Sequence, residues 1–154
     1  MDPKCLEEAL LKQDLGIIVV DVNYLRLRMG EVWEAIRELD RLSSKPYGEM
    51  SVDEKYSMRY QVVVLAEALG AICLHIAMDD LGFEPSSYSE CFSILEEHGV
   101  ITCAKDLVSI ARLRNLLVHR YWLIDDSKVY EHVKRNFGCV RGFLERIGDR
   151  YGIR

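Results

Sequence analysis

Apolar residues recur along most of the chain at the three- and four-residue spacing of an α-helix. One run steps by 3, 4, 3, 4, 3, 4 and 3 residues, which places its side chains on a single helical stripe: Leu15, Ile18, Val22, Leu25, Met29, Val32, Ile36 and Leu39. This pattern predicts a long helix over residues 14–42. A shorter helix over residues 3–12 is expected before it, and the turn-forming segment 43–48 ends it.

Four further helices are predicted downstream. A second long helix over 52–81 is apolar nearly all round, so it should be central. Ser87 and Glu90 have the spacing of a capping box, which predicts a short helix that ends near Glu97. Thr102 is the expected N-cap of a fourth helix over 103–120, and one of the residues 125–127 caps a fifth. No segment alternates like a strand. The sequence therefore predicts an all-α, antiparallel bundle of four main helices plus a short helix, as a single domain over residues 1–154.

Composition and charge limit the function classes. The 154 residues carry a net charge of −5, which argues against a general nucleic-acid coat or a protein that lies on anionic membranes. The segment 62–78 is apolar but only seventeen residues long, and it contains Glu67 and His75. A buried helix is therefore predicted there rather than a membrane span, and no membrane partner is expected.

The five cysteines, at positions 5, 73, 91, 103 and 139, have no zinc-ligand spacing. We interpret them as reduced thiols of a cytoplasmic protein, most of them buried as small hydrophobic side chains. No metal site is predicted.

Two charged residues break the helical pattern. Arg114 lies in the middle of the apolar arc of the fourth helix, and a guanidinium there is costly unless it is paired. Glu67 is the only charged residue between Arg59 and Asp79 on the most apolar helix, which makes it the expected partner. Such a pair is either purely structural or also positions a functional arginine. His75, on the same helix as Glu67, is interpreted as a hydrogen-bonded core histidine.

The fourth helix also concentrates positive charge. Residues 105–122 contain four Lys and Arg residues against Asp106 alone, a formal charge of +3. Arg112, Asn115 and His119 fall together on one side of the helical wheel, away from the apolar arc. A small basic patch that carries a histidine suits a single phosphodiester, although the same charges also occur on an ordinary solvated helix face.

The segment 112–125, RLRNLLVHRYWLID, resembles the motif of the HEPN superfamily and, within it, the HepT-like branch of ribonuclease toxins. That motif is an arginine, four residues, a histidine, one residue and a tyrosine, and here these positions hold Arg114, His119 and Tyr121. The asparagine after the arginine, the helix 60–70 with Glu67, the segment 85–88 and the run from Ile124 through Val133 also fit. The resemblance extends over about residues 14–147.

The resemblance implies a metal-independent endoribonuclease that works as a homodimer without a cofactor. RNA cleavage through the 2′-OH needs a base, an acid and a cation for the charge that develops on the phosphate. His119 is assigned as the general acid or base, supplied twice by the two-fold axis, and Arg114 as the stabilising cation. Asn115 is expected to orient the imidazole or the RNA. Arg112 and Arg120 are expected to add positive electrostatic potential and to contact the RNA backbone.

The resemblance also implies a partner and a modification. In this branch a cognate minimal nucleotidyltransferase acts as the antitoxin and transfers AMP onto the motif tyrosine, here Tyr121. On the helical wheel Tyr121 matches Arg114, so its ring is expected beside that guanidinium. Two alternatives stay open. One is a non-catalytic nucleotide-binding or scaffold partner of the nucleotidyltransferase, and the other is a helical dimer in which the pair formed by Arg114 and Glu67 only fixes the interface.

Overall fold

The computed structural model describes residues 3–4 and 20–154. Within residues 20–154 the chain forms five α-helices and two single 3₁₀ turns, Tyr47–Glu49 and Tyr121–Leu123, and these residues contain no strand. The helices are α1 Val22–Ser43, α2 Val52–Asp79, α3 Tyr88–Glu97, α4 Ala104–His119 and α5 Asp126–Tyr151. The predicted all-α architecture of four main helices and a short one is confirmed.

Two predicted helix starts are wrong. In each case the helix is capped by a group that cannot be recognised from the spacing of the apolar residues. Helix α1 begins at Val22, where the side chain of Asp21 accepts a hydrogen bond from the Tyr24 N–H at 3.1 Å. Residues 5–12 and 14–19 of the predicted helices lie outside the described residues. Helix α4 is capped at Cys103 instead of Thr102, and the Ala104 N–H donates to the Glu96 carboxylate at 2.9 Å. The caps predicted at Ser87 and within 125–127 are confirmed, the latter at Asp125.

Contacts at the helix ends give the directions of the long helices. The Asp21 N–H, at the start of α1, donates to His75 Nε2 near the end of α2 at 3.0 Å, so α1 and α2 are antiparallel. The Tyr151 hydroxyl, at the end of α5, donates to Asp80 just after α2 at 2.6 Å. Helix α5 therefore runs parallel to α2. The Tyr130 hydroxyl near its start donates to the Ser43 carbonyl at 3.1 Å, which makes α5 antiparallel to α1.

Helix α2 is the centre of the bundle, and its apolar side chains contribute to one continuous core with those of the other helices. It is long and apolar enough to cross a membrane by length and composition alone, with a mean hydropathy of 1.9 in its most apolar window. Of that window 56% is buried inside the fold, which is typical of the core helix of a bundle. His75 accepts from Asp21 and lies 2.8 Å from the Asp79 carboxylate, so the interpretation as a hydrogen-bonded histidine is confirmed.

The interpretation of all five cysteines as reduced thiols is wrong for two of them. A disulfide joins Cys103, at the start of α4, to Cys139 in α5, with the Cα atoms 6.1 Å apart. Cys73 and Cys91 are free and buried, as expected. The two bonded cysteines are separated by 36 residues, and only the packing of α5 against α4 brings them together.

Reduction of this disulfide is expected to lower the free energy of unfolding. Closing a loop between residues separated by 36 positions is worth up to about 4 kcal/mol in the chain-entropy model. Thermal unfolding with and without a phosphine reductant measures the effect, and the melting temperature should fall on reduction. The variant Cys103→Ser should melt like the reduced protein and should not respond to reductant. An unchanged melting temperature after complete reduction would contradict the prediction.

Candidate functional site

An ion pair between α4 and α2 forms the centre of the candidate site. Arg114 Nε donates to Glu67 Oε1 at 2.5 Å, which confirms the expected pairing of the two residues that break the helical pattern. The Arg114 side chain is 25% exposed and that of Glu67 is 42% exposed. Because both groups retain water, the pair contributes of the order of 1 kcal/mol rather than the larger amount at stake in a fully buried pair. The main effect of the ion pair is to fix the orientation of the guanidinium.

Tyr88, at the start of α3, holds the other oxygen of the same carboxylate. Its hydroxyl donates to Glu67 Oε2 at 2.9 Å. Burial, together with this hydrogen bond to a carboxylate, raises the pKa of Tyr88 above its usual value. The ring lies against Gly70 of α2, where a Cβ atom would be 2.5 Å from it. From the sequence, these two residues were included only within the segments 60–70 and 85–88 of the family resemblance and had no assigned role, although a glycine in the interior of the most apolar helix signals a close approach.

Asn115 is a partner of the arginine. Its Oδ1 accepts from Arg114 Nη1 at 2.9 Å. Among the described residues no hydrogen bond joins Asn115 to His119, so the expected orientation of the imidazole by Asn115 is not seen. With Nε and Nη1 engaged, the Nη2 donors of Arg114 have no hydrogen-bond partner in the part of the chain that the structure describes.

His119 is the last residue of α4, and its side chain is exposed. Neither a hydrogen bond nor an ion pair connects its imidazole to another residue of the described ranges. The imidazole lies in an open cleft of about 410 Å³ together with Arg112, Asn115, Leu116 and Arg120. The predicted clustering of Arg112, Asn115 and His119 on one side of the helix is confirmed. This lining contains two guanidiniums and no carboxylate.

A second cleft, of about 300 Å³, lies on the other side of Asn115. Its lining comes from α2, from the segment that leads into α3, from the first turn of α3 and from α4: Leu74, Pro85, Ser86, Ser87, Tyr88, Ser89, Ala111, Arg114 and Asn115. Arg114 faces this cleft and His119 faces the first, while Asn115 lines both. The two predicted functional side chains are therefore placed in neighbouring clefts that share one amide side chain.

The expected position of Tyr121 beside Arg114 is wrong. Helix α4 ends at His119, and Arg120 leaves the helical conformation with φ −137° and ψ 39°. The helical period used to align Tyr121 with Arg114 therefore stops before it reaches the tyrosine. The Tyr121 ring instead packs edge-on against Trp122, with centroids 5.3 Å apart, and it is 62% exposed.

Metal ligands are not clustered in the described part of the chain. Residues 3–4 and 20–154 contain no group of three or more His, Cys, Asp or Glu side chains that are placed to hold a metal ion.

A family model described as "Ribonuclease HepT-like" matches residues 32–147. The chain belongs to the HepT-like ribonuclease family. No curated protein sequence matches it.

Solved structures of the same fold include a cytosolic protein of unknown function, YutE from Bacillus subtilis. It is 20% identical, with a TM-score of 0.78 over 87% of this chain and 92% of that one. A toxin–antitoxin complex with AMP-PNP is 18% identical, with a TM-score of 0.76 over 82% of this chain and 98% of that one. A mutant of the toxin–antitoxin complex MntA-HpeT is 20% identical, with a TM-score of 0.72 over 82% of this chain and 98% of that one. At these identities the likeness is one of fold.

The substitution Gly70→Ala tests the contact that places Tyr88. The new methyl group overlaps the ring, so the ring or the helix must shift, and a loss of about 1–3 kcal/mol in the free energy of unfolding is expected. Gly30→Ala is the matched control, because this glycine of α1 has open space around it and should gain about 0.5–1 kcal/mol. Urea unfolding of both variants measures the difference. Equal stability of the two would show that Tyr88 is not held by the close approach to Gly70.

Proposed function

We propose that this protein is a metal-independent endoribonuclease, the toxin of a toxin–antitoxin pair, whose active site combines Arg114 and His119 at a homodimer interface. The observation that supports this most directly is that a hydrogen-bonded arginine and an exposed imidazole lie in adjacent clefts. Membership of the HepT-like ribonuclease family supports the reaction class. We further propose that residues 1–154 form one cytoplasmic domain, since a protein of the same fold is described as cytosolic.

The proposed chemistry is attack of a ribose 2′-OH on the adjacent phosphorus. One histidine accepts the 2′-OH proton as the new P–O bond forms, and a second protonates the 5′-oxygen as its bond to phosphorus breaks. Histidine titrates near neutral pH and serves in both roles. The Nη2 donors of Arg114 stabilise the extra negative charge on the phosphate. Arg112 and Arg120 attract the RNA backbone into the His119 cleft, and no cofactor takes part.

A two-fold axis near the end of α4 would supply both histidines. The surface there supports an interface because four large apolar side chains next to His119 are exposed by 41–66%: Leu116, Val118, Trp122 and Leu123. Exposed apolar side chains in such a group are typical of a protein–protein contact. An isologous contact at this surface would bring the two copies of His119 together.

The proposed partner is a nucleotidyltransferase antitoxin that modifies Tyr121. Two structures of the same fold are described as toxin–antitoxin complexes, one of them with AMP-PNP. The exposed Tyr121 hydroxyl would attack the α-phosphorus of ATP, with pyrophosphate as the leaving group and the phenolic proton released to solvent. The resulting phosphodiester adds a negative charge beside Arg120 and His119, where it would compete with the RNA phosphate.

Removal of either site residue is expected to abolish RNA cleavage. His119→Ala and Arg114→Ala should each cut the rate by about 10²–10⁴-fold, because an acid–base group or a charge-stabilising group is lost. The assay uses purified protein and total RNA in EDTA. Arg114→Ala should stay folded, since Glu67 is 42% exposed and retains its hydrogen bond from Tyr88.

His98→Ala is the matched control, because His98 is also an exposed histidine at a helix end, that of α3. It should cleave like the wild type. Full activity of His119→Ala would refute the assigned role. A wild-type protein that does not cut RNA, but binds the nucleotidyltransferase, would favour the non-catalytic alternative.

The Tyr121→Phe variant should fold and remain toxic when the partner transferase is co-expressed, because the acceptor hydroxyl is missing. Tyr56→Phe, another exposed tyrosine, should still be silenced. Mass spectrometry of co-expressed wild-type protein should find one added AMP on the peptide that contains Tyr121. Complete neutralisation of toxicity without any modification of Tyr121 would contradict the proposal.

A further inference from the structure

The cleft beside Arg114 has the size and lining of a small-ligand site. Its volume of about 300 Å³ is at the lower end of the range of roughly 300–1,000 Å³ that is usual for such sites. That volume is of the size of a single nucleobase or nucleoside. Three of its residues, Leu74, Pro85 and Ala111, offer apolar surface against which a flat ring can pack.

The polar groups of this cleft include hydrogen-bond donors and acceptors of the kind that bind the edge of a base. Ser86 Oγ donates to Glu90 Oε2 at 2.5 Å and keeps its acceptor capacity. Ser87 Oγ accepts from the Glu90 N–H at 3.1 Å and keeps its O–H donor. Within the described residues Ser89 Oγ has no hydrogen bond, so it offers both functions. Arg114 is the one charged residue of the lining, and the carboxylates of Glu67 and Glu90 bond to Arg114 and Ser86 from outside it.

The cleft adjoins the proposed active site. Asn115 lines both clefts, and Arg114 Nη1 donates to its Oδ1 at 2.9 Å. A strand whose scissile phosphate lies between Arg114 and His119 would therefore pass its neighbouring nucleotide into the cleft formed with α3. Single-stranded RNA is recognised in this way, with unstacked bases packed against side chains and read along their edges.

From this geometry we infer that the cleft between Leu74, the segment 85–89 and Ala111 is a nucleobase subsite that selects the base on one side of the scissile phosphodiester. The inference rests on the proposed ribonuclease function and names where its sequence preference arises. Ser89 is the test position, because its half-buried side chain lines the cleft and it caps no helix. Ser93, one turn further along α3, is exposed outside the cleft and provides the matched control.

The first arm measures cleavage of oligonucleotides that contain one ribonucleotide in an otherwise deoxy strand, so that one bond can be cut. The ribonucleotide base and the following base are each varied among the four. Wild-type protein should cut the best base at least about tenfold faster than the worst at one of the two positions, the discrimination that a single good base contact gives. Ser89→Trp should reduce the preference to within about twofold, and Ser93→Trp should retain it.

The second arm measures binding without catalysis. The four nucleoside 3′-monophosphates are titrated into isotope-labelled wild-type and His119→Ala protein, with the backbone amide resonances of residues 87–89 and 111 as the readout. Saturable shifts at these residues are expected in both proteins and in Ser93→Trp, and they should be lost in Ser89→Trp. Leu74→Trp, which fills the opposite wall, replaces Ser89→Trp if the latter does not fold.

The two arms separate the subsite from the proposed function. Nucleotide shifts in the cleft without any RNA cleavage would refute the ribonuclease, and with it the selection of a base at a scissile bond, and would leave the cleft as a nucleotide-binding site. RNA cleavage with equal rates for all four bases at both positions would overturn the subsite. So would a preference unchanged in the cleft-filling variant, or nucleotide shifts that leave residues 87–89 and 111 unaffected.

Discussion

A guanidinium on the core-facing side of a helix is stable only when a carboxylate pairs with it. Most of the candidate site follows from the way Arg114 is paired in this chain. Glu67 of α2 accepts from Arg114 of α4 with one oxygen and from Tyr88 of α3 with the other. Asn115 accepts from the same arginine. The resulting chain of hydrogen bonds connects three helices and fixes the guanidinium plane, because Nε and Nη1 are both held. The remaining donors are then pre-oriented for an anion.

The arginine and the histidine differ in how firmly they are held, and the difference follows from their places on α4. Arg114 lies over the core, where it donates to Glu67 of α2 and to its neighbour Asn115. His119 is the final helical residue, and the exposed side chains of Trp122 and Leu123 follow shortly after it. One copy of the chain thus presents a guanidinium held by two hydrogen bonds beside an imidazole without a partner among the described residues. In the proposed function, a second copy covers that surface and supplies the second histidine.

Much of this arrangement was predictable from the sequence, and the exceptions have physical causes. Helical period and turn-forming segments predicted the five helices, and Arg114 and Glu67 were identified because each contradicts an otherwise apolar stripe. The start of α1 was misplaced because apolar spacing continues through a residue, Asp21, that caps the helix. Tyr121 was misplaced because a wheel assumes a helix that in fact ends two residues earlier. The roles of Tyr88 and Gly70 and the bond between Cys103 and Cys139 depend on how separate helices pack, which local spacing does not encode.

The central claim is that two copies of the chain build one active site, and mixed dimers test it most directly. Wild-type and His119→Ala chains that carry different affinity tags are co-expressed, and the heterodimer is isolated through both tags and assayed for RNA cleavage in EDTA. If the acid and the base come from different copies, the heterodimer should be nearly as inactive as the His119→Ala homodimer, a loss of about 10²–10⁴-fold. A heterodimer that retains about half of the wild-type rate would contradict the claim, because each copy would then carry a complete site.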